Sequence, residues 1–384
     1  MKVLYISTAD YKYGAAKTQI DMILELKNCF HVIPVVLTKK HNVFNDWCNE
    51  HGIENYSYWY RDIMAGSAYS NPILNVAKHI VKYLLYLRGS LTQKDILKCG
   101  INWREIDIIH SNHIRIDIGA YISRKTGIPH IWHIKELNKG HVKIVHYKPH
   151  CYQYINNNAN RFIAVTKQVK DYWCKAGLEK EKVEIIYEGV DAEKFIRRQR
   201  RNDGRLKLVC VGRIEKSKGQ LHILQAMSRL PDDVKEKVTL DLIGEPYPDY
   251  FRELQNFIKS NKMESKVNFK GYCKNIPEIL KEYDVGILAS KGDAFGTVTA
   301  EYMAAGLLAI ATYTELAEHG KTGLRYNFGD IDQLSKNICF ACRNEKDAEK
   351  IAVQGKMEIG KNYTINKNAA KVYALYKKVL KNEK

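Results

Sequence analysis

No run of eighteen or more apolar residues occurs in this chain, so a membrane-spanning helix is not expected. A charged-then-apolar leader is missing too, which argues against a secretory signal and sets a cytoplasmic protein as the expectation. The nine cysteines are scattered and odd in number, which speaks against a disulfide framework and for reduced thiols. Cys339 and Cys342 form the only close pair; in a helical pattern without a second pair, they read as packing rather than a metal or redox site. There is no zinc-finger spacing, RNP-like aromatic motif or basic helix with heptads, so nucleic acid is not an expected partner. No G-x-G-x-x-G follows either candidate first strand, which disfavours a nicotinamide-dependent dehydrogenase. Internal repeats and low-complexity tracts are also lacking.

Acid is scarce relative to base: 43 Asp and Glu against 61 Lys and Arg give a net charge of +18. The excess is divided evenly between residues 1–190 and the remainder. It favours anionic partners such as a nucleotide, a polyphosphate lipid or an anionic membrane leaflet. At 384 residues the chain is too long for one ordinary core, and two domains are expected.

Strands and helices alternate throughout, predicting α/β layers on parallel sheets. The first series of strands is Val3 to Ser7, Val32 to Leu37, Ile106 to His110, His130 to His133, Arg161 to Val165 and Val183 to Tyr187. The charged stretch from Asp191 to Arg205 interrupts it and reads as an exposed join. A second series follows: Leu206 to Val211, Val238 to Ile243, Val267 to Phe269, Val285 to Ala289 and Leu307 to Ala311.

Two basic or acidic blocks stand at strand ends in the second series. Ser290 to Gly306 reads SKGDAFGTVTAEYMAAG and carries Asp293 and Glu301 eight residues apart. Gly296 lies where a loop enters a predicted helix, Thr297 to Ala305, and lets a ligand approach the backbone closely. The free N–H groups of that first turn, with the helix dipole, form a natural phosphate site. Asp293 before the helix and Glu301 one turn inside it could hold hydroxyls on either side of a diphosphate, which suits a sugar–diphosphate–nucleoside. Upstream, VGRIEKSKGQ places Arg213 and Lys218 in a basic loop after another strand.

These blocks resemble those of the retaining glycosyltransferases of family 4. Ser290, Phe295, Gly296, Glu301, Met303, Ala304 and Gly306 match its S-x-x-E-x-F-G-x-x-x-x-E-A-M-A-x-G pattern, while Asp293 replaces the first Glu and Tyr302 an Ala. Val211 to Gly219 resembles V-G-R-x-x-x-x-K-G. The resemblance implies the GT-B fold, two Rossmann-like doubly wound domains facing across a cleft. The corresponding boundaries are an acceptor-side domain at 1–190, a nucleotide-sugar domain at 191–365 and a helix crossing back at 366–384. It further implies donor contacts from Gly14, Gly212, Arg213, Lys218, Asp293, Phe295, Gly296, Thr297, Val298 and Glu301. Catalytic roles would fall to His133, Arg213, Lys218 and Asp293.

Several positions depart from the family. In the loop Tyr11 to Lys17 only the second of two glycines remains, as Gly14. Glu188 stands where N-G-V-D is usual. Thr312 to Gly320 lacks a glycine pair, with Glu315 still in place. His133 ends its strand as the family's active-site histidine does, with the acid Glu136 following; His130 is at an odd separation and would face away, so the two are not a zinc pair. His141, His146 and His150, with Tyr147 and Tyr152, read as a surface cluster. Asp330 and Asp332 read as a helix cap rather than a metal-binding D-x-D. No metal or other cofactor is expected.

In Asn75 to Leu87, Val76, Ile80, Tyr83, Leu84 and Leu87 fall on one helical face. Packing of that face on the sheet is the expectation; the other reading, with Trp59, Tyr60, Tyr69 and Arg88 nearby, is contact with an anionic membrane. Taken together, the expected activity is transfer of a hexose-type sugar from a nucleotide-diphosphate donor, UDP ahead of GDP, to a glycan or lipid-linked acceptor in surface polysaccharide synthesis. The alternatives are a sugar-nucleotide epimerase on the same fold and a non-catalytic nucleotide-sugar-binding partner.

Overall fold

Val3 to Ile6 are wholly buried, and their alternating side chains enter two different cores. A strand covered on both faces needs such an unbroken apolar run, which marks a parallel sheet flanked by helices. The computed structural model describes residues 1–7, 14–66, 72–137, 144–195 and 204–381. Tyr11, Tyr13, Tyr69, His141 and most of the charged join at Asp191 to Arg205 lie outside the described residues.

Contacts divide the chain into two units, Met1–Gly189 with Ile365–Lys384, and Val190–Thr364. The first unit begins with β1 (Lys2–Ser7), α1 (Gly14–Phe30), β2 (Ile33–Thr38), α2 (Val43–Glu50) and β3 (Glu54–Ser57). It continues through β4 (Met64–Gly66), α3 (Pro72–Thr92), β5 (Ile108–Ser111), α4 (Ile118–Thr126) and β6 (His130–Ile134). Then come β7 (Ile144–His146), α5 (Cys151–Asn157), β8 (Arg161–Ala164), α6 (Lys167–Ala176) and β9 (Val183–Ile185). Seven of these strands form one parallel sheet in the order β3-β2-β1-β5-β6-β8-β9, while β4 and β7 pair antiparallel as a separate ribbon.

The second unit opens with β10 (Leu206–Val211), α7 (Gln220–Ser228), α8 (Asp232–Lys235), β11 (Val238–Ile243) and α9 (Pro248–Ser260). Next are β12 (Val267–Gly271), α10 (Ile276–Leu280), β13 (Val285–Leu288), α11 (Thr297–Ala304) and β14 (Leu308–Ala311). The unit closes with β15 (Leu324–Arg325), α12 (Ile331–Arg343) and α13 (Glu345–Asn362). Its sheet is parallel in the order β12-β11-β10-β13-β14-β15. The order reverses between β10 and β13, and ligands of open α/β sheets bind outside the strand ends at such a point.

The last helix, α14 (Ile365–Lys381), belongs to the first unit. Ala369, Val372, Leu375 and Tyr376 share a core with Ile20, Ile23 and Leu26 of α1. Asp330 caps α12 by accepting from Gln333 N at 2.9 Å, and Asp332 pairs with Arg229.

One expectation fails in α3. Its apolar face does not pack on the sheet: Val76, Ile80, Tyr83, Leu84 and Leu87 are all exposed. The buried side of the helix is instead formed by Tyr86 and Gly89. Tyr60 is no surface aromatic either; it is buried and donates to Ser7 O at 2.7 Å. Tyr147 is likewise buried, with His79 Nδ1 2.8 Å from its hydroxyl, so it leaves the surface cluster proposed for it.

Candidate functional site

The ends of β10 and β13 meet at the switch point of the second sheet. After β10 the chain runs through Gly212 and Arg213 to a single helical turn, Lys216–Lys218, and then Gly219. Gly219 has φ +66°, and an added Cβ would stand 2.2 Å from Ala289 O, so this loop lies directly against the end of β13. Arg213 donates to Glu215 at 3.3 Å and to the Tyr247 hydroxyl at 3.4 Å, and Gln220 Nε2 holds the Arg213 carbonyl at 2.8 Å. The guanidinium is therefore tethered at its tip and at its backbone.

After β13, Gly296 takes a left-handed φ of +79° at the N-cap of α11. That conformation strains any side chain, which explains glycine there. Thr297 and Val298 begin the helix, and their amides point out of its N-terminus. Phe295 is buried, its ring 6.0 Å from that of Tyr363. Glu301 is buried one turn inside α11. Lys218 Nζ lies 3.0 and 3.4 Å from the two carboxylate oxygens of Asp293, so the two candidate groups form an ion pair.

Where the sequence lacks a glycine pair, two threonines brace this loop. Thr312 Oγ1 donates to Ser290 O at 2.8 Å and Thr314 Oγ1 to Phe295 O at 2.9 Å. Each such bond contributes about 1 kcal/mol. Tyr302, which fills the usual Ala position, lies over Gly286: a Cβ on that glycine would fall 2.1 Å from the ring. The Tyr302 hydroxyl accepts from Val211 N at 2.7 Å, one residue before Gly212. Helix α11 is thus tied to the loop that carries Arg213.

In the first unit, His133 sits near the end of β6 and is almost wholly buried. Its Nδ1 is 3.1 Å from His110 Nε2, and His110 Nδ1 is 2.6 Å from the Tyr376 hydroxyl on α14. Either order of donors along this chain leaves His133 Nε2 without a partner among the described residues. A hydroxyl, which both donates and accepts, would complete it. Burial lowers the His133 pKa well below its ordinary value, and the Lys135 and His110 charges add to this, so the ring is neutral. His130 faces the other way, toward Ser111 Oγ at 2.8 Å and Asn158 O at 3.0 Å.

Beside His133, Lys135 Nζ lies 2.9 Å from Glu188 Oε1 and 2.8 Å from Thr18 Oγ1, and Thr18 donates to Glu188 at 2.9 Å. Both charges are nearly buried. Gly14 is the first residue of α1, at the edge of the undescribed loop after β1. His113 Nε2 is 2.7 Å from Glu136, which also belongs to this end of the sheet.

The family described as "Glycosyl transferases group 1" matches residues 191–357, and "Glycosyltransferase Family 4" matches residues 58–194. The chain is a glycosyltransferase of this group 1, family 4 type. An uncharacterised glycosyltransferase of Methanocaldococcus jannaschii is 25% identical over 80% of this chain and 87% of its own. A Klebsiella pneumoniae protein described as uncharacterised and lying in a cps region is 24% identical over 61% of this chain and 69% of its own. Among solved structures, Anabaena HepE in complex with UDP is similar with a TM-score of 0.78 and 20% identity, covering 98% of this chain and 100% of that one. The glycosyltransferase fold is GT-B.

Of the residues anticipated in this glycosyltransferase, Gly212, Arg213, Lys218, Asp293, Phe295, Gly296, Thr297, Val298 and Glu301 gather at the switch point of the second unit. His133 and Gly14 belong to the first unit. Sequence reasoning missed Lys135, Thr18, His110, Tyr376, Thr312 and Thr314. Glu188 carried a signal for the first two, since an acid in place of a neutral residue near a strand end asks for a cation. Nothing local announced Tyr376, which reaches His110 from 266 residues away. Among the described residues, no three His, Cys, Asp or Glu cluster as a metal site.

Proposed function

We propose that the protein transfers a hexose-type sugar from a UDP-sugar to a hydroxyl of a glycan or lipid-linked acceptor, with retention at the anomeric carbon. The observation that carries this reading is the arrangement of Arg213, Lys218, the N-terminus of α11 and buried Glu301 around one switch point. It suits a nucleoside diphosphate, and the HepE structures hold UDP, UDP with glucose, or UDP-glucose.

In this reading the diphosphate sits at the Thr297 and Val298 amides. Arg213 forks to its oxygens, and Lys218 turns from Asp293 toward them. Glu301 accepts from the ribose hydroxyls. Asp293 takes a sugar hydroxyl; it is one carbon shorter than the family's Glu, which favours a water bridge or a different sugar. The anomeric C–O bond to the phosphate breaks as the acceptor oxygen bonds the same face of that carbon. The acceptor proton passes to the departing phosphate oxygen, so no covalent sugar–enzyme intermediate is required. Two cations and a helix N-terminus neutralise the leaving group, which makes a divalent metal unnecessary; loss of turnover in EDTA, restored by magnesium, would refute that part.

The deciding experiment is thermal-shift binding of UDP, GDP, ADP and their sugar conjugates, with Glu301→Ala as control. A rise selective for UDP species and absent in the variant is expected. No response to any nucleotide would refute the donor site, and conversion of the donor sugar without acceptor would favour an epimerase. NMR of the product must show the donor's anomeric configuration.

A further inference from the structure

We propose that the outward face of α3 docks on an anionic lipid surface, with the helix lying in the membrane plane. Ten large apolar side chains of this one helix are exposed, more than half of all such residues among those described. Ile73, Val76, Ile80, Leu84, Leu87 and Leu91 recur every three or four residues and make a continuous stripe along it, with Ile73 76% and Leu91 78% exposed. Monomer surfaces seldom gather so much apolar area in one patch.

The helix is anchored firmly on its opposite side, so the stripe is held outward. Tyr86 is buried, with the Arg61 guanidinium 4.3 Å from its ring centre, and Arg61 in turn pairs with Asp117 at 3.0 Å. His79 meets the Tyr147 hydroxyl at 2.8 Å, and Tyr58 donates to Thr92 O at 2.6 Å. Trp59 packs against Gly89 on this inner side as well.

Charge selects the occupant. Helix α3 contains no Asp or Glu but carries Lys78, Lys82 and Arg88. Lys82 lies 3.8 Å from Asp62, yet Asp62 is also shared with Lys39 at 3.3 Å, so the neighbourhood stays positive. Anionic headgroups suit a stripe flanked by Arg88 and free of acid, whereas a second copy would bring like charges together on a chain of net charge +18. Lys78 and Lys82 lie on the inner side of the helix, where Lys78 donates to Gly66 O at 2.9 Å, whereas exposed Arg88 flanks the stripe and can reach the surface of a bilayer. No helix among the described residues is long and apolar enough to cross a membrane, which fits an in-plane helix. This surface stands independently of the donor reading, since binding is measured without turnover.

The test is co-sedimentation of the full chain with phosphatidylglycerol–phosphatidylcholine vesicles and with phosphatidylcholine alone, at low and high salt. Binding to the anionic vesicles, weaker at high salt, is expected. Ile80→Glu with Leu84→Glu should weaken it about tenfold or more at unchanged melting temperature, and Arg88→Glu should weaken it at low salt. A wild-type chain that stays in the supernatant would overturn the proposal. So would equal binding by the double variant, which would mean surface charge alone. A dimer seen by light scattering, broken by the same variant and indifferent to vesicles, would assign the face to a second copy instead.

Discussion

Acidification should unfold the first unit well before the second. Three histidines, His110, His130 and His133, are buried in its core. Burial lowers His110 from 6.5 to about 3, with Lys135 and His130 adding to the effect, and lowers His130 to about 4 despite its bond to the Asn158 carbonyl. His133 is pushed well below 6.5. The unfolded chain takes up three protons as pH falls through 6.5, while the folded unit refuses them until about pH 4 or lower. Stability therefore rises with pH across that window and is fully present above about pH 7.

At pH 5 His110 and His130 each favour the unfolded state by about 2 kcal/mol, about 4 kcal/mol together, and His133 acts in the same direction. That approaches the whole stability of an ordinary domain. All five tryptophans lie in the first unit, so their fluorescence follows its unfolding specifically. Urea titrations between pH 7.5 and 5 should show the tryptophan midpoint collapsing toward low denaturant. In His130→Gln the pH dependence should shrink by about 2 kcal/mol, even though the variant starts less stable. A midpoint unchanged down to pH 5 would refute neutral burial of these rings.

Lys218→Ala should lower kcat by about 10² or more, because the leaving diphosphate loses a cation and meets an uncompensated Asp293; adding Asp293→Asn should recover part of the loss in a donor-turnover assay. Tyr302→Phe leaves the Val211 N–H without its hydroxyl partner, costing about 1–3 kcal/mol in denaturant unfolding of the second unit and raising KM for the donor. Glu188→Ala removes the carboxylate paired with the nearly buried Lys135, with an expected loss of about 3 kcal/mol, and Lys135→Met in the same chain should restore much of it. Turnover should show no titration attributable to His133 between pH 6 and 8, since that ring is neutral throughout.

What could be read from the sequence is what leaves a continuous local trace. The central strands are apolar runs because both their faces are covered, and the structure places each within a residue or two of its expected span. Two edge strands and the separate ribbon left none: β3 reads Glu-Asn-Tyr-Ser, β15 has two residues, and β4 and β7 pair only over three. Such short, half-exposed strands have no periodicity to find. In α3 the period was right and the direction wrong, because an amphipathic pattern gives a face without saying what it faces.

The positions that depart from the family pattern are held by specific partners. Tyr302 occupies the room that Gly286 leaves and holds Val211 N; Glu188 meets Lys135 and Thr18; Thr312 and Thr314 hold the two carbonyls that bracket Asp293. Asp293 itself reaches Lys218 from 75 residues away. Each pair spans separate elements and braces the loops around the switch point. The Tyr302 ring over Gly286 leaves no room for a side chain there. Gly286→Ala, which drives a methyl into the Tyr302 ring, should therefore destabilise the second unit, and adding Tyr302→Ala should relieve the clash but not the loss of donor affinity, because Val211 N remains unheld.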